Sequence, residues 1–84
     1  MQRVRLVNLK LGDPDDLEIY AGSALWTWMQ TPKFKMISAF EVGSEDMFWT
    51  RGTILSHSVT IDVWAEVPIE TATLLKLAGL TVDR

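Results

Sequence analysis

VTIDVWAEV, residues 59–67, is the stretch on which the fold turns. Its side chains alternate without a break. Val59, Ile61, Val63, Ala65 and Val67 form one apolar row, and Thr60, Asp62, Trp64 and Glu66 form the other. Successive side chains of a strand point to opposite faces, so this period predicts a strand with its valine row on a core and its polar row in solvent. Trp64 is then an indole among carboxylates, on the outer face.

Downstream, Pro68 lacks the amide hydrogen that a ladder needs and suits the first turn of a helix. PIETATLLKLAG, residues 68–79, reads as that helix. Glu70 lies near the positive end of its dipole, Lys76 near the negative end, and Gly79 closes it in the left-handed region. The tail Leu80, Thr81 and Val82 is expected to add an edge strand or to dock.

Upstream, DMFWTRGTILSHS, residues 46–58, holds the strand segments Met47–Thr50 and Thr53–Leu55. Arg51–Gly52 and Ser56–Ser58 compete for the turn, and the register stays open. GSED, residues 43–46, is a turn. KFKMISAFEV, residues 33–42, alternates: Phe34, Met36, Ser38, Phe40 and Val42 fall on one side, and Lys33, Lys35, Ile37, Ala39 and Glu41 on the other. That spacing predicts a strand. ALWTWMQ, residues 24–30, follows Ser23 as N-cap and ends before Pro32. As a helix it places Leu25, Trp28 and Met29 on one face and leaves Trp26 and Gln30 off it, although its Trp and Thr content also suits an extended segment.

The beginning reads MQRVRLVNLKL. Val4 and Leu6 share one parity and Val7, Leu9 and Leu11 the other, which predicts a strand apolar on both sides in its second half and covered there. GDPDD, residues 12–16, is a turn in which Pro14 presets φ and Asp13 caps through its side chain. LEIY, residues 17–20, alternates and is expected to return as the second strand of a hairpin. The sum is one α+β domain over residues 1–84. It has a mostly antiparallel sheet of four to six short strands, one or two helices on one face, and the order β-β-α-β-β(-β)-α.

Composition narrows the function classes. An 84-residue chain buries only about 60–65% of its unfolded surface, so some of its four Trp and three Phe are needed to build the core, and the others are surplus to it. Without cysteine the chain has no disulfide, no thiolate metal site and no cysteine nucleophile, which fits a reducing cytoplasm, that of a host cell, or a virion assembled there. Arg3 and Arg5 precede no unbroken apolar run, so the start does not read as a secretory signal, and no stretch reaches the ~18 apolar residues of a membrane span.

His57 is the one histidine, between Ser56 and Ser58. Neighbours on a strand point to opposite faces, so adjacency does not make a serine–histidine pair, and no orienting acid or glycine-rich phosphate loop accompanies it. Glu45 and Asp46 sit in a turn, where acids serve solubility. No catalytic residue and no cofactor are expected. Asp13, Asp15, Asp16 and Glu18 cluster oxygens, but they lack the twelve-position spacing and central glycine of a calcium loop and read as an acidic turn. One histidine and no cysteine leave zinc and copper without ligands, so no metal is expected.

The net charge of −3 disfavours a phosphate-binding surface. Lys33 and Lys35 share a face of the expected strand, as do Arg3 and Arg5, but Phe34 takes the opposite parity, so one face would not present both charge and a stacking ring. The tryptophans point elsewhere. Trp64 lies outside the valine row with Asp62 and Glu66 beside it, Trp26 lies off its helix stripe, and Trp49 adjoins Phe48, so one of that pair faces away from the core. A large rigid ring among charges is the chemistry of a docking anchor. Trp64, Trp26, Trp49, Asp62 and Glu66 are therefore the candidate partner-binding residues. The expected function is a non-enzymatic protein–protein interaction module that binds another protein or itself. Small accessory proteins of bacteriophages and mobile elements do this in virion assembly, as capsid-decorating or connector components. The alternatives are an inhibitor of a host enzyme or defence complex, and a single-stranded nucleic-acid binder using Lys33, Lys35 and Arg3.

Overall fold

A computed structural model describes residues 1–12, 16–55 and 58–82. Among them the elements run β1 (Gln2–Lys10), α1 (Leu17–Trp28), α2 (Pro32–Ser38), a 3₁₀ turn (Ser44–Asp46), β2 (Met47–Leu55), β3 (Ser58–Val67) and α3 (Ile69–Leu77). The sheet is antiparallel in the order β1-β3-β2, so the strand predicted from the valine row is its centre. Ile61, Val63, Ala65 and Val67 are buried. Ala21 and Trp28 of α1, Ile37 of α2, and Ala72 and Leu75 of α3 join the same core. All three helices therefore lie on one face, and Thr60, Asp62, Trp64 and Glu66 line the other. The α+β class holds, with three strands and three helices among the described residues in place of four to six strands and one or two helices.

The double-sided apolar pattern of β1 has a different cause from the one expected. Arg5 pairs with Trp64 and Val7 with Val63, so Leu6 has no partner and forms a bulge. Two residues opposing one shift the parity of everything beyond. Val4 before the bulge and Val7 and Leu9 after it consequently meet Ala65, Val63 and Ile61 on the core face, and Leu6 is fully buried. Arg3, Arg5, Asn8 and Lys10 fall on the polar side.

The expected hairpin over residues 12–20 is replaced by a helix start. The Asp16 carboxylate accepts hydrogen bonds from the amides of Glu18 at 3.1 Å and Ile19 at 3.4 Å, which satisfies two of the donors that a helix leaves open at its first turn. LEIY is the first turn of α1, and Ser23 lies inside the helix and caps nothing. The remainder of the expected turn, Asp13 to Asp15, lies outside the described residues. The stripe Ala21, Leu25, Trp28 and Met29 packs against the core, as helical spacing requires.

Residues 33–42 form α2 and a turn, not the expected strand. Thr31 caps the helix, its hydroxyl accepting from the Phe34 amide at 3.5 Å, and Pro32 occupies the first turn. Helical spacing brings Phe34 and Ile37 to one side, where strand parity had separated them. Ile37 is fully buried, and Phe34 meets Trp28 edge-to-face at 5.4 Å between ring centroids, which joins α2 to α1.

β2 runs through Arg51 and Gly52 with an irregularity between Arg51 and Ile54. The chain reverses instead between Leu55 and Ser58, and Ser56 and His57 lie outside the described residues. α3 ends as expected. Gly79 has φ 72°, its amide bonds the Lys76 carbonyl at 3.1 Å, and the Leu80 amide bonds the Leu75 carbonyl at 3.0 Å. Leu80 is buried, and the tail docks on β1 through a 2.8 Å hydrogen bond from the Val82 amide to the Arg5 carbonyl.

Candidate functional site

The outer face of the sheet carries the central row that the sequence singled out. Trp64 is half-buried there, with Arg5 opposite on β1 and Phe48 opposite on β2. Its indole N–H donates to the Thr50 hydroxyl at 2.8 Å, which holds the ring along the sheet. Phe48, not Trp49, is the member of that pair on the outer face. Trp49 pairs with Val63 and packs against the core, so the structure separates it from Trp64, Asp62 and Glu66. The Arg3 guanidinium stacks over the Phe48 ring at 5.1 Å and bonds Glu66 at 3.0 Å. The result is two adjacent rings rimmed by ion pairs.

Asp62 is held more tightly than Glu66. It accepts from Asn8 at 2.8 Å and lies 3.5 Å from Arg5, with the two ion-pair side chains only 13% and 18% exposed. Glu66 and Arg3 stand largely in solvent. Asp62 therefore serves first to organise its neighbours, and Glu66 is free to exchange partners at little cost.

Trp26 lies on another surface. α1 carries a single charged side chain, Glu18, in twelve residues, so it has no polar face to turn outward. Ile19 and Trp26, two turns apart on the same side, are 68% and 64% exposed, and Tyr20 beside Ile19 is also exposed. On α3, Ile69, Leu74 and Leu77 are exposed as well. Helix formation from Leu17 onward creates the α1 stripe, so the hairpin expected over residues 12–20 concealed Ile19 and Tyr20 from a reading of the sequence. The seven-residue spacing of Ile19 and Trp26 is the signal that would have found them.

The remaining chemistry is sparse. Lys33 and Lys35 stand on α2, where residues two apart diverge, so they share no face, and Arg3 belongs to a different element, β1. Among the described residues no three His, Cys, Asp or Glu side chains gather as metal ligands, and no helix is long and apolar enough to cross a membrane. No family model matches the chain, and no curated protein or solved structure matches it.

Proposed function

We propose that this chain is a non-enzymatic protein–protein interaction module that docks through the outward side of α1. The observation that carries the reading is the exposure of Ile19 and Trp26 on one side of a helix with a single charge. An indole and a β-branched side chain left in water two turns apart, at i and i+7, are spaced as anchors for helix-in-groove docking. Trp64 with Asp62 and Glu66 supplies a second, more polar contact surface on the opposite side of the molecule. A component with two faces suits an assembly role such as a decorating or connecting protein, whether its neighbours are other proteins or further copies of itself.

Sedimentation velocity of the purified protein, together with capture experiments using wild type, Trp26→Ala and Trp64→Ala in parallel, tests this. Self-association, or capture of one recurrent partner, that Trp26→Ala weakens at least tenfold is the expected result. A monomer whose captured proteins are the same in kind and amount for all three chains removes the proposal.

A further inference from the structure

We infer that the outer side of the helix layer is a dimer interface whose occupant is a second copy of this chain, packed helix layer against helix layer. The inference rests on the docking reading of α1, extends that surface to α3 and names the partner. Its starting point is what each helix leaves uncovered. α3 gives the core Ala72 and a single large side chain, Leu75, and leaves Ile69, Leu74 and Leu77 outside. α1 packs its Leu25, Trp28 and Met29 stripe inward and still leaves Ile19, Tyr20 and Trp26 outside. A helix that is apolar on both sides is suited to burial on both sides, and the sheet covers only one.

Three observations favour a second copy as the cover. The first is area. Ile19, Tyr20, Trp26, Ile69, Leu74 and Leu77 are between 48% and 80% exposed. Together they leave on the order of 800 Å² uncovered, which matches the ~800 Å² that each partner gives to an interface of standard size. α1 and α3 belong to one layer over the sheet, so one partner of the same build can meet both. The second is charge. The three helices carry Glu18 and Glu70 against Lys33, Lys35 and Lys76. A two-fold axis sets a surface against itself, which a patch of one sign would oppose and this mixture does not. The third is chain length. At 84 residues the share of surface buried by the monomer is low, and oligomerisation is one of the few ways such a chain enlarges its core.

The test is sedimentation equilibrium of the full chain over about 5–500 µM, with circular dichroism of each variant as the control for folding. The variants are Trp26→Glu on α1, Leu77→Glu on α3 and Lys10→Glu, an exposed position on the polar face of the sheet that adds negative charge away from the helices. The expected result is a monomer–dimer equilibrium that Trp26→Glu and Leu77→Glu each weaken at least tenfold and Lys10→Glu leaves unchanged. Should either helix variant unfold, Trp26→Ala and Leu77→Ala carry the same expectation. A wild-type monomer throughout the range, an assembly larger than a dimer, or a dimer that the α3 variants do not weaken overturns the inference. So does a dimer that Lys10→Glu weakens as much as the helix variants do. A monomer that captures a foreign protein, and loses it in Trp26→Ala, overturns the second copy as occupant and leaves the docking reading of α1 standing. A monomer whose captured proteins are unchanged in Trp26→Ala removes both.

Discussion

Thr60 of β3 hydrogen-bonds the backbone of Thr53 across the sheet, its hydroxyl accepting from the Thr53 amide at 2.8 Å and facing the Thr53 carbonyl at 3.4 Å. The irregular stretch of β2 between Arg51 and Ile54 loses regular ladder bonds, and this side chain stands in for them. Gly52 lies beside the same hydroxyl, and a Cβ there would collide with it and press on the Thr60 carbonyl at 3.2 Å.

Thr60→Val keeps the shape and removes the acceptor, so it is expected to cost about 1–2 kcal/mol. Gly52→Ala is expected to cost about 1–3 kcal/mol through the collision. In the double variant Gly52→Ala/Thr60→Ala the obstructing hydroxyl is gone, so urea melts are expected to show less destabilisation than the sum of Gly52→Ala and Thr60→Ala. Strict additivity would mean that the two residues do not meet.

Leu6 is the unpaired residue of β1 and is fully buried. Leu6→Ala is expected to cost about 2–5 kcal/mol, the range for a buried leucine that leaves a cavity. Val7 and Leu9, on the same face but only partly buried, are expected to cost less when truncated. A urea midpoint for Leu6→Ala equal to that of Val7→Ala would place Leu6 outside the core.

The two ion pairs of the outer face are expected to differ. Asp62→Asn removes the charge beside a largely buried Arg5 and is expected to cost about 1–3 kcal/mol. Glu66→Gln breaks an exposed pair and is expected to cost less than about 1 kcal/mol. Thermal melts of both variants check the order, and equal losses would contradict the burial of Asp62.

Glu41 sits at φ 66° in the turn after α2, a region that side chains with a Cβ enter at a cost. Glu41→Gly is expected to stabilise the protein by about 0.5–1 kcal/mol after the added chain entropy of glycine is counted. At this chain length that is a rise in Tm of roughly 2–8 °C. A fall in Tm would show that the Glu41 side chain contributes contacts that outweigh its backbone strain.

Legibility in the sequence followed the number of competing periods. β3 was legible because nine residues alternate without exception and Pro68 ends them, and α3 because Pro68 and Gly79 punctuate both ends. Residues 33–42 carry both a two-residue and a helical period, and the alternation hid the meaning of Thr31 and Pro32 as a cap and first turn. Asp16 hid in the same way, because an aspartate in an acidic run serves a turn or a helix start equally well. The bulge at Leu6 mimicked a strand covered on both sides. At the candidate site, Trp64, Asp62 and Glu66 were placed correctly on the outer face by parity alone. The choice between Phe48 and Trp49 needed the register of β2 on β3, which depends on where the chain reverses.

The hydrogen bond from the Val82 amide to the Arg5 carbonyl ties the tail to β1 at one point. A foreign strand lengthening the sheet beside β1 would have to displace that contact, and beside β2 it would meet a ladder that loses its regular spacing after Arg51. Each flank of the sheet thus carries a local obstacle to regular strand addition.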